Sequence, residues 1–319
     1  MLSSISLSEK TWFRTGGIAQ WYSEPCTVQE FQQVVYQAAS DALPITMLGD
    51  GANVLVSDEG IAGVVIHPLI SHVYHERVAD HIMHVTVGAG LAFSDLIRYC
   101  LDHQLIGLEE FSGIPGTVGG SVFINIHYFQ WLLSNFLVKA QVIDRTTGAV
   151  ATVDNAWFNF GYNRSRLQEG THYLAEATFT TILVTEEEAM YARGRSDEII
   201  RHRRQRYPRE RTCGSFFRNF TMEEIVQARC AKPVPYVAYY IEQLGVKGQL
   251  SVGGAILSHQ HANMIITQPG AMSNDVVSLA RIIQQLVYER YGLWPEPECR
   301  LLGFSCNPLI APERATQIF

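Results

Sequence analysis

The stretch Gly113-Ile114-Pro115-Gly116-Thr117-Val118-Gly119-Gly120 holds four glycines and one proline in eight residues. Glycine is costly inside a helix or strand, and proline removes a backbone donor, so this stretch constrains the fold more than any other. It predicts a shaped loop. The segment before it, 91–105, places Leu91, Leu96, Ile97, Cys100 and Leu101 on one broad face, as an amphipathic helix does. A glycine-rich loop lets backbone N–H groups approach a phosphate, or lets a flat ring lie against the backbone. The same residues also suit a plain crossover from that helix to the next strand.

Around this loop the chain alternates helical and extended patterns. TVQEFQQVVYQAAS reads as a helix with Thr27 as N-cap and Glu30 three residues on. PITMLGDGANVLVS and GVVIHPL read as short strands around a glycine turn, and VYHERVADHIMHVTVGAG as a hairpin. VKAQVIDRTTGAVATV predicts a second hairpin turning near Thr147-Gly148, and YLAEATFTTILV a strand. EEEAMYARGRSDEIIRHRRQRYPRE predicts a long helix ended by Pro208. VPYVAYYIEQLGV predicts a further helix, SVGGAILSHQHANMIITQ a β-rich stretch, and SNDVVSLARIIQQLVYERYG a helix capped by Ser273 or Asn274 and stopped by Gly292.

Several function classes lose ground on composition. A formal net charge of -7 disfavours a dedicated nucleic-acid binder. Eight of the twenty arginines fall in residues 193–211, an uneven distribution that suits a solvated helix face or attraction of an anionic substrate. The six cysteines, Cys26, Cys100, Cys213, Cys230, Cys299 and Cys306, include no CxxC and read as reduced thiols of a cytoplasmic protein. No apolar run is long enough for a membrane span. With 319 residues, two or three domains are expected.

Further constellations carry possible chemistry. Arg14-Thr15-Gly16-Gly17 and Gly49-Asp50-Gly51-Ala52-Asn53 supply glycine turns of the kind that cradle phosphate. Their spacing is neither GxGxxG nor GxxxxGK[ST], so a dinucleotide-binding βαβ unit and a P-loop are disfavoured. Arg164 in Tyr162-Asn163-Arg164-Ser165 can grip a carboxylate bidentately. Ser215 in Cys213-Gly214-Ser215-Phe216-Phe217-Arg218-Asn219 is a candidate proton donor, and no G-x-S-x-G elbow points to a hydrolase. His259, His261 and Asn263 suit a polar pocket lining better than a metal site, and no metal is expected. Glu298, in Pro295-Glu296-Pro297-Glu298, is a candidate acid or charge stabiliser. Surface turns and N-caps remain alternative explanations for each of these.

Taken in order, FRTGG, LGDGANVLVSDEG, GLEEFSGIPGTVGG, YNRS, CGSFFRN, GVKG with GGAILSHQHANMII, and PEPECR resemble the UDP-N-acetylenolpyruvoylglucosamine reductase family from about residue 11 to 303. The resemblance is to the second type, which lacks an inserted loop carrying a substrate-closing tyrosine. It implies an α+β chain with a two-subdomain FAD-binding fold of the vanillyl-alcohol-oxidase/PCMH type and a C-terminal α+β substrate-binding domain. The expected division is 1–70 and 71–205 for the FAD subdomains and 206–319 for the substrate domain. The resemblance also implies noncovalent FAD, NADPH as hydride donor, and a UDP-sugar substrate, in a cytoplasmic chain expected to be monomeric. Arg14, Gly49, Asp50, Gly51, Ala52, Asn53, Gly113, Ile114, Pro115, Gly116, Gly119, Gly120 and Asn125 are then cofactor candidates. Asn219, His259, His261 and Asn263 are substrate candidates. Ser215 would donate the proton to C2 of the enolpyruvyl group, and Arg164 and Glu298 would stabilise the enolate. The sequence departs from the family at His127 and Phe129, where small residues are usual, and at Phe220, where a proline follows the asparagine. Bulk at 127 and 129 would bear on how FAD or substrate fits. Another flavin oxidoreductase of the same FAD-domain class, or a non-catalytic UDP-sugar binder, remains open on these residues.

Overall fold

The computed structural model describes residues 2–209, 211–228 and 233–311; Cys230 lies outside them. The chain divides into two compact units. One comprises Met1–Ser4, Gln20–Asp50 and Ala62–Gln205, the other Ile5–Ala19, Gly51–Ile61 and Arg206–Phe319.

In the first unit, the helix Val28–Ser40 is capped by Thr27, whose hydroxyl accepts from the Glu30 N–H at 3.1 Å. Its Phe31, Val35 and Ala38 pack with Val64 and Ile66 on one side, and with Ile143, Tyr173 and Ala175 of a large antiparallel sheet on the other. That sheet runs Val150–Asp154, Leu137–Asp144, His172–Leu183, Ile82–Gly88, Val73–Ala79, with Leu105–Ile106 also pairing to His172–Leu183. Both predicted hairpins are here. Asp144 accepts from the Thr146 and Thr147 N–H groups, closing the turn that Gly148 completes at φ 69°.

The central strand serves two cores. Tyr173 and Ala175 face the helix Val28–Ser40, whereas Leu174, Ala177 and Phe179 join Phe93, Leu96 and Val122 in the second core. The parity changes because Gln141 pairs with Glu176 while Val142 pairs with Leu174, leaving Ala175 as an extra residue. A bulge of one residue swaps the faces of everything beyond it. The predicted amphipathic helix is Phe93–Asp102, burying Phe93, Leu96, Ile97, Cys100 and Leu101; Leu91 lies just before it.

The long basic helix is Glu186–Arg206. Its arginines are not simply a solvated face. Arg193 donates to Asp102 and to Leu101 O, Arg195 forks onto Glu110 at 2.9 and 3.0 Å, and Arg201 pairs with Glu198 on its own helix. Part of the positive charge expected to attract anionic substrate is therefore neutralised by neighbouring carboxylates.

In the second unit the strands Val54–Val56 and Arg300–Leu302 pair in parallel, and Ser251–Val252, Ala255–Leu257 and Ile265–Thr267 form the β-rich piece. The helix Ser273–Tyr291 buries Val276, Leu279, Ala280, Ile283 and Val287 against Tyr240, Ile241 and Phe216, and ends at Gly292 with φ 66°. Its N-terminal cap differs from expectation. The Asp58 carboxylate, not a Ser273 or Asn274 side chain, accepts from the Ser273 and Asn274 N–H groups, both at 2.8 Å. A carboxylate satisfies two orphan donors and opposes the positive helix end, which a neutral hydroxyl cannot do as well. Ser273 Oγ instead is buried and bonds Val56 O and Thr15 Oγ1.

Candidate active site

In the first unit, residues 113–117 form the expected loop, with Gly113 at φ 76° and Gly116 at φ 127°, whereas Gly119 and Gly120, expected within it, lie in the first turn of the helix Val118–Ile124. Leu91 O and Gly116 O accept from the Val118 and Phe93 N–H groups, so the loop is pinned to the start of the helix that precedes it. Thr117 caps the short helix Val118–Ile124, accepting from the Gly120 N–H at 3.2 Å. A Cβ at Gly49 would lie 2.8 Å from Thr117 Oγ1, so glycine there lets residues 49–50 approach this cap. Around Gly116 a Cβ would meet nothing within 4 Å, whereas Gly119 is set against Ala89 O, which a Cβ would approach to 3.1 Å. Gly119 is thus explained by packing, and Gly116 borders open space. Among the described residues no protein group accepts from the Gly116 or Thr117 N–H. An open surface with unspent amides is what an anionic or flat ligand needs.

Asn125 ends that helix at φ 50° and is buried. Its Nδ2 donates to Gly161 O at 3.1 Å and its Oδ1 accepts from the Ser134 N–H at 2.9 Å. One end of the amide therefore holds the loop bearing Tyr162-Asn163-Arg164-Ser165, and the other holds the backbone at Ser134. Gly161 and Arg164 exchange backbone hydrogen bonds around a tight turn, with Asn163 at φ 52°. Buried Ser165 donates to Phe123 O at 2.7 Å, and Gln168 Nε2 reaches both Phe123 O and Asn163 O. The Arg164 side chain is exposed on this braced turn. Ser165, Gln168 and Ser134 escaped the sequence reading. The only local signal was Ser165 next to the arginine, because most of their partners are 9 to 45 residues away.

His127 and Phe129 lie in a hairpin pairing His127–Tyr128 with Trp131–Leu132. Phe129 sits at its tip with φ 51° and is 72 % exposed, so its bulk is directed to solvent. His127 packs on the Tyr162 ring at 4.8 Å, and burial holds its pKa below the ordinary histidine value.

In the second unit, Arg14 has φ 57° and donates to Glu9 O at 3.0 Å. Gly16, Gly17 and Gly51 are explained by crowding. A Cβ at Gly16 would meet Val56 Cβ at 2.8 Å, at Gly17 the Asp58 carbonyl at 2.3 Å, and at Gly51 the Lys10 carbonyl at 2.2 Å. Asn53 O accepts from the Arg300 N–H at 3.0 Å, at the head of the parallel strand pair.

Residues 216–218 run antiparallel to 296–298. Glu298 N–H donates to Phe216 O, Arg218 N–H donates to Glu296 O, and Phe217 bridges Pro297. The Ser215 segment and Glu298 are thus brought side by side, 83 residues apart in sequence. Ser215 is half-buried, and among the described residues its hydroxyl has no protein partner. Asn263 holds this arrangement from the other side. Its Oδ1 accepts from the Phe217 N–H, its Nδ2 donates to Phe217 O, and its own carbonyl accepts from the Phe216 N–H. Burial keeps the buried Cys213 thiol well above its ordinary pKa, with Cys299 and the Glu298 charge adding to the effect.

Arg218 is clamped by Glu224 and Glu296 and also donates to Asn219 O. Phe220 is buried against Tyr240 with ring centroids 5.5 Å apart, and its N–H donates to Pro235 O at 2.9 Å. A proline there would lose that donor, so the departure from the family pattern has a structural use. His261 Nδ1 accepts from the Asn263 N–H, and its ring meets Tyr207 at 5.3 Å. Burial first, then the Arg206 charge, lowers the His261 pKa and favours the neutral ring. His259 is exposed and packs over Gly248. Among the described residues no cluster of three His, Cys, Asp or Glu side chains could hold a metal ion.

Residues 19–154 match the FAD binding domain family, and residues 205–302 match the UDP-N-acetylenolpyruvoylglucosamine reductase C-terminal domain. The reductase of Synechococcus sp. (strain JA-3-3Ab) is 34% identical over 319 residues, covering 97% of this chain and 93% of that protein. The chain belongs to the UDP-N-acetylenolpyruvoylglucosamine reductase family. The family member from Trichormus variabilis is 36% identical over 94% of this chain and 86% of its own length. The crystal structure of the reductase from Thermus caldophilus superposes with a TM-score of 0.75 at 26% identity, covering 95% of this chain and 99% of that one. The fold is therefore the reductase fold, an FAD-binding N-terminal part followed by an α+β C-terminal domain. The open surface at Gly116, bordered by unspent amides, fits an FAD group.

Proposed function

We propose that this chain carries out the NADPH-dependent, FAD-mediated reduction of UDP-N-acetylglucosamine enolpyruvate to UDP-N-acetylmuramate, a step of cell-wall precursor synthesis. The observation that carries the reading is the antiparallel pairing that sets the Ser215 segment beside Glu298. When bound, FAD would supply the hydride chemistry between NADPH and C3 of the enolpyruvyl group. The Ser215 hydroxyl then supplies the proton to C2. Glu298 stabilises the developing enolate from the neighbouring strand, and Arg164 takes the substrate carboxylate. A fixed cation counts for more as charge grows in the transition state than in the ground state. Gly49, Asp50, Gly51, Ala52 and Asn53, with Gly113, Ile114, Pro115, Gly116, Gly119 and Gly120, are the candidates for holding FAD noncovalently, as is Arg14. Asn125 supports the reading as a brace for the Arg164 turn, and Asn263 as a brace for the Ser215 strand. Asn219, His259 and His261 remain candidates for the UDP-sugar. Residues 1–70 and 71–205 would act as the two flavin subdomains and 206–319 as the substrate domain, in a cytoplasmic monomer. Among the described residues no helix is long and apolar enough to cross a membrane.

The test is a pair of anaerobic half-reactions on the FAD-loaded protein. Wild type should be reduced by NADPH, more readily than by NADH, and reoxidised by the enolpyruvyl sugar. Ser215→Ala should slow reoxidation about 10²–10⁴-fold, as expected for loss of a general acid, and leave reduction nearly intact. Protein that stays colourless after incubation with FAD, or equal loss in both half-reactions, would overturn the reading.

A further inference from the structure

The basic helix Glu186–Arg206 and the glycine loop are joined by contacts that the reaction itself does not call for. Arg203 Nε donates to Gly113 O at 3.0 Å. A Cβ at Gly113 would stand 3.1 Å from Arg203 Cδ and 3.5 Å from Ile200 Cγ1, so the loop lies directly on the helix. Two turns before Arg203, the buried Ser112 and Ser196 hydroxyls bond each other at 2.8 Å. Arg195 grips Glu110 with two hydrogen bonds, and Arg193 grips Asp102 and Leu101 O. Every one of these contacts falls between 101 and 113, the segment leading into the loop.

We propose that Arg203 is a positioning residue for FAD, acting through the Gly113 carbonyl to hold the entry of loop 113–120, and that the basic helix is a strut for this loop. The proposal rests on the reading that the loop holds FAD. An arginine aimed at a backbone carbonyl, with its stem packed on a glycine, supplies geometry. An arginine that recruits phosphate supplies long-range charge, and salt screens the second far more than the first. The two roles therefore separate by ionic strength. Arg204, exposed on the same helix next to Arg203, is the control for charge.

The experiment measures FAD affinity of apo-protein by flavin fluorescence quenching, for wild type, Arg203→Ala, Arg203→Lys and Arg204→Ala, at low and at high sodium chloride. Arg203→Ala should weaken FAD binding about tenfold, the size expected for one charge-assisted hydrogen bond that orders a loop. The ratio to wild type should hold at high salt, and the visible band of bound FAD should shift. Arg203→Lys keeps the charge without the planar fork and should recover only part of the affinity. Arg204→Ala should bind like wild type. Near-UV circular dichroism of each apo-variant checks that the fold is kept. The proposal is overturned if Arg203→Ala binds within twofold of wild type, if its deficit disappears at high salt, or if Arg204→Ala loses as much. Failure of wild type to bind FAD would instead overturn the reading of the loop.

Discussion

Replacing Asn125 separates a brace from a ligand. The side chain makes two hydrogen bonds, to Gly161 O at 3.1 Å and from the Ser134 N–H at 2.9 Å, and the backbone stands at φ 50°. In Asn125→Ala the Gly161 carbonyl keeps a partner, because it also accepts from the Arg164 N–H. The Ser134 N–H loses its acceptor, at a cost of about 1–3 kcal/mol, and the lost second bond adds about 1 kcal/mol. Alanine in a left-handed conformation adds about 1–2 kcal/mol more. The sum is about 3–6 kcal/mol, a large part of the stability of an ordinary domain. Asn125→Gly removes the same bonds but tolerates the backbone, so it should cost about 1 kcal/mol less. Urea unfolding of the apo-protein, followed by circular dichroism and by tryptophan fluorescence, measures both variants. The two probes also check that a single transition is being read. If Asn125→Ala costs less than about 1 kcal/mol while FAD affinity collapses, the amide touches the cofactor directly and the bracing account is wrong.

Three other perturbations test separate pieces of the structure. Phe129→Asn should raise the melting temperature by about 1–4 °C, because asparagine accepts a positive φ that an exposed phenylalanine does not, and flavin reoxidation should stay unchanged; a loss of turnover would mean the ring serves the site. Thr212→Val should be neutral or stabilising by up to about 1 kcal/mol in thermal unfolding, since among the described residues the buried hydroxyl has no partner; clear destabilisation would refute this. Glu224 has its pKa raised by burial, but hydrogen bonds from Arg218 and the Thr221 N–H more than reverse that, so its pKa lies below the ordinary carboxylate value. A depressed carboxylate contributes stability above its unfolded pKa and loses it as pH falls through the folded value. Glu224→Gln should therefore cost about 1 kcal/mol at pH 7 and progressively less as pH falls below the ordinary carboxylate range, and a cost independent of pH would refute the ion pair.

The amino-acid sequence by itself determined the local elements, because their causes are local. The 3.6-residue spacing of Leu96, Ile97, Cys100 and Leu101 makes a helix wherever an apolar surface is offered, and Thr27 caps the helix Val28–Ser40 through the Glu30 N–H. The glycines and proline of 113–117 favour a turn-rich loop whatever surrounds them, whereas Gly119 and Gly120 are taken into the helix Val118–Ile124. Motif order also carried the family, and with it the fold. Tertiary structure decided which polar groups are spent and which are available. Asn125 and Asn263 look like ligands in sequence, yet their amides are consumed by backbone from Gly161, Ser134 and Phe217. Gly16 and Gly51 look like a phosphate cradle, yet each is required by a neighbouring residue that leaves no room for a Cβ. Asp58 caps a helix 215 residues away, and an extra residue at Ala175 turns one strand toward two cores. Hydrogen-bond partnership and close contact depend on chain segments distant in sequence, and one-dimensional spacing holds no information about which of them will meet.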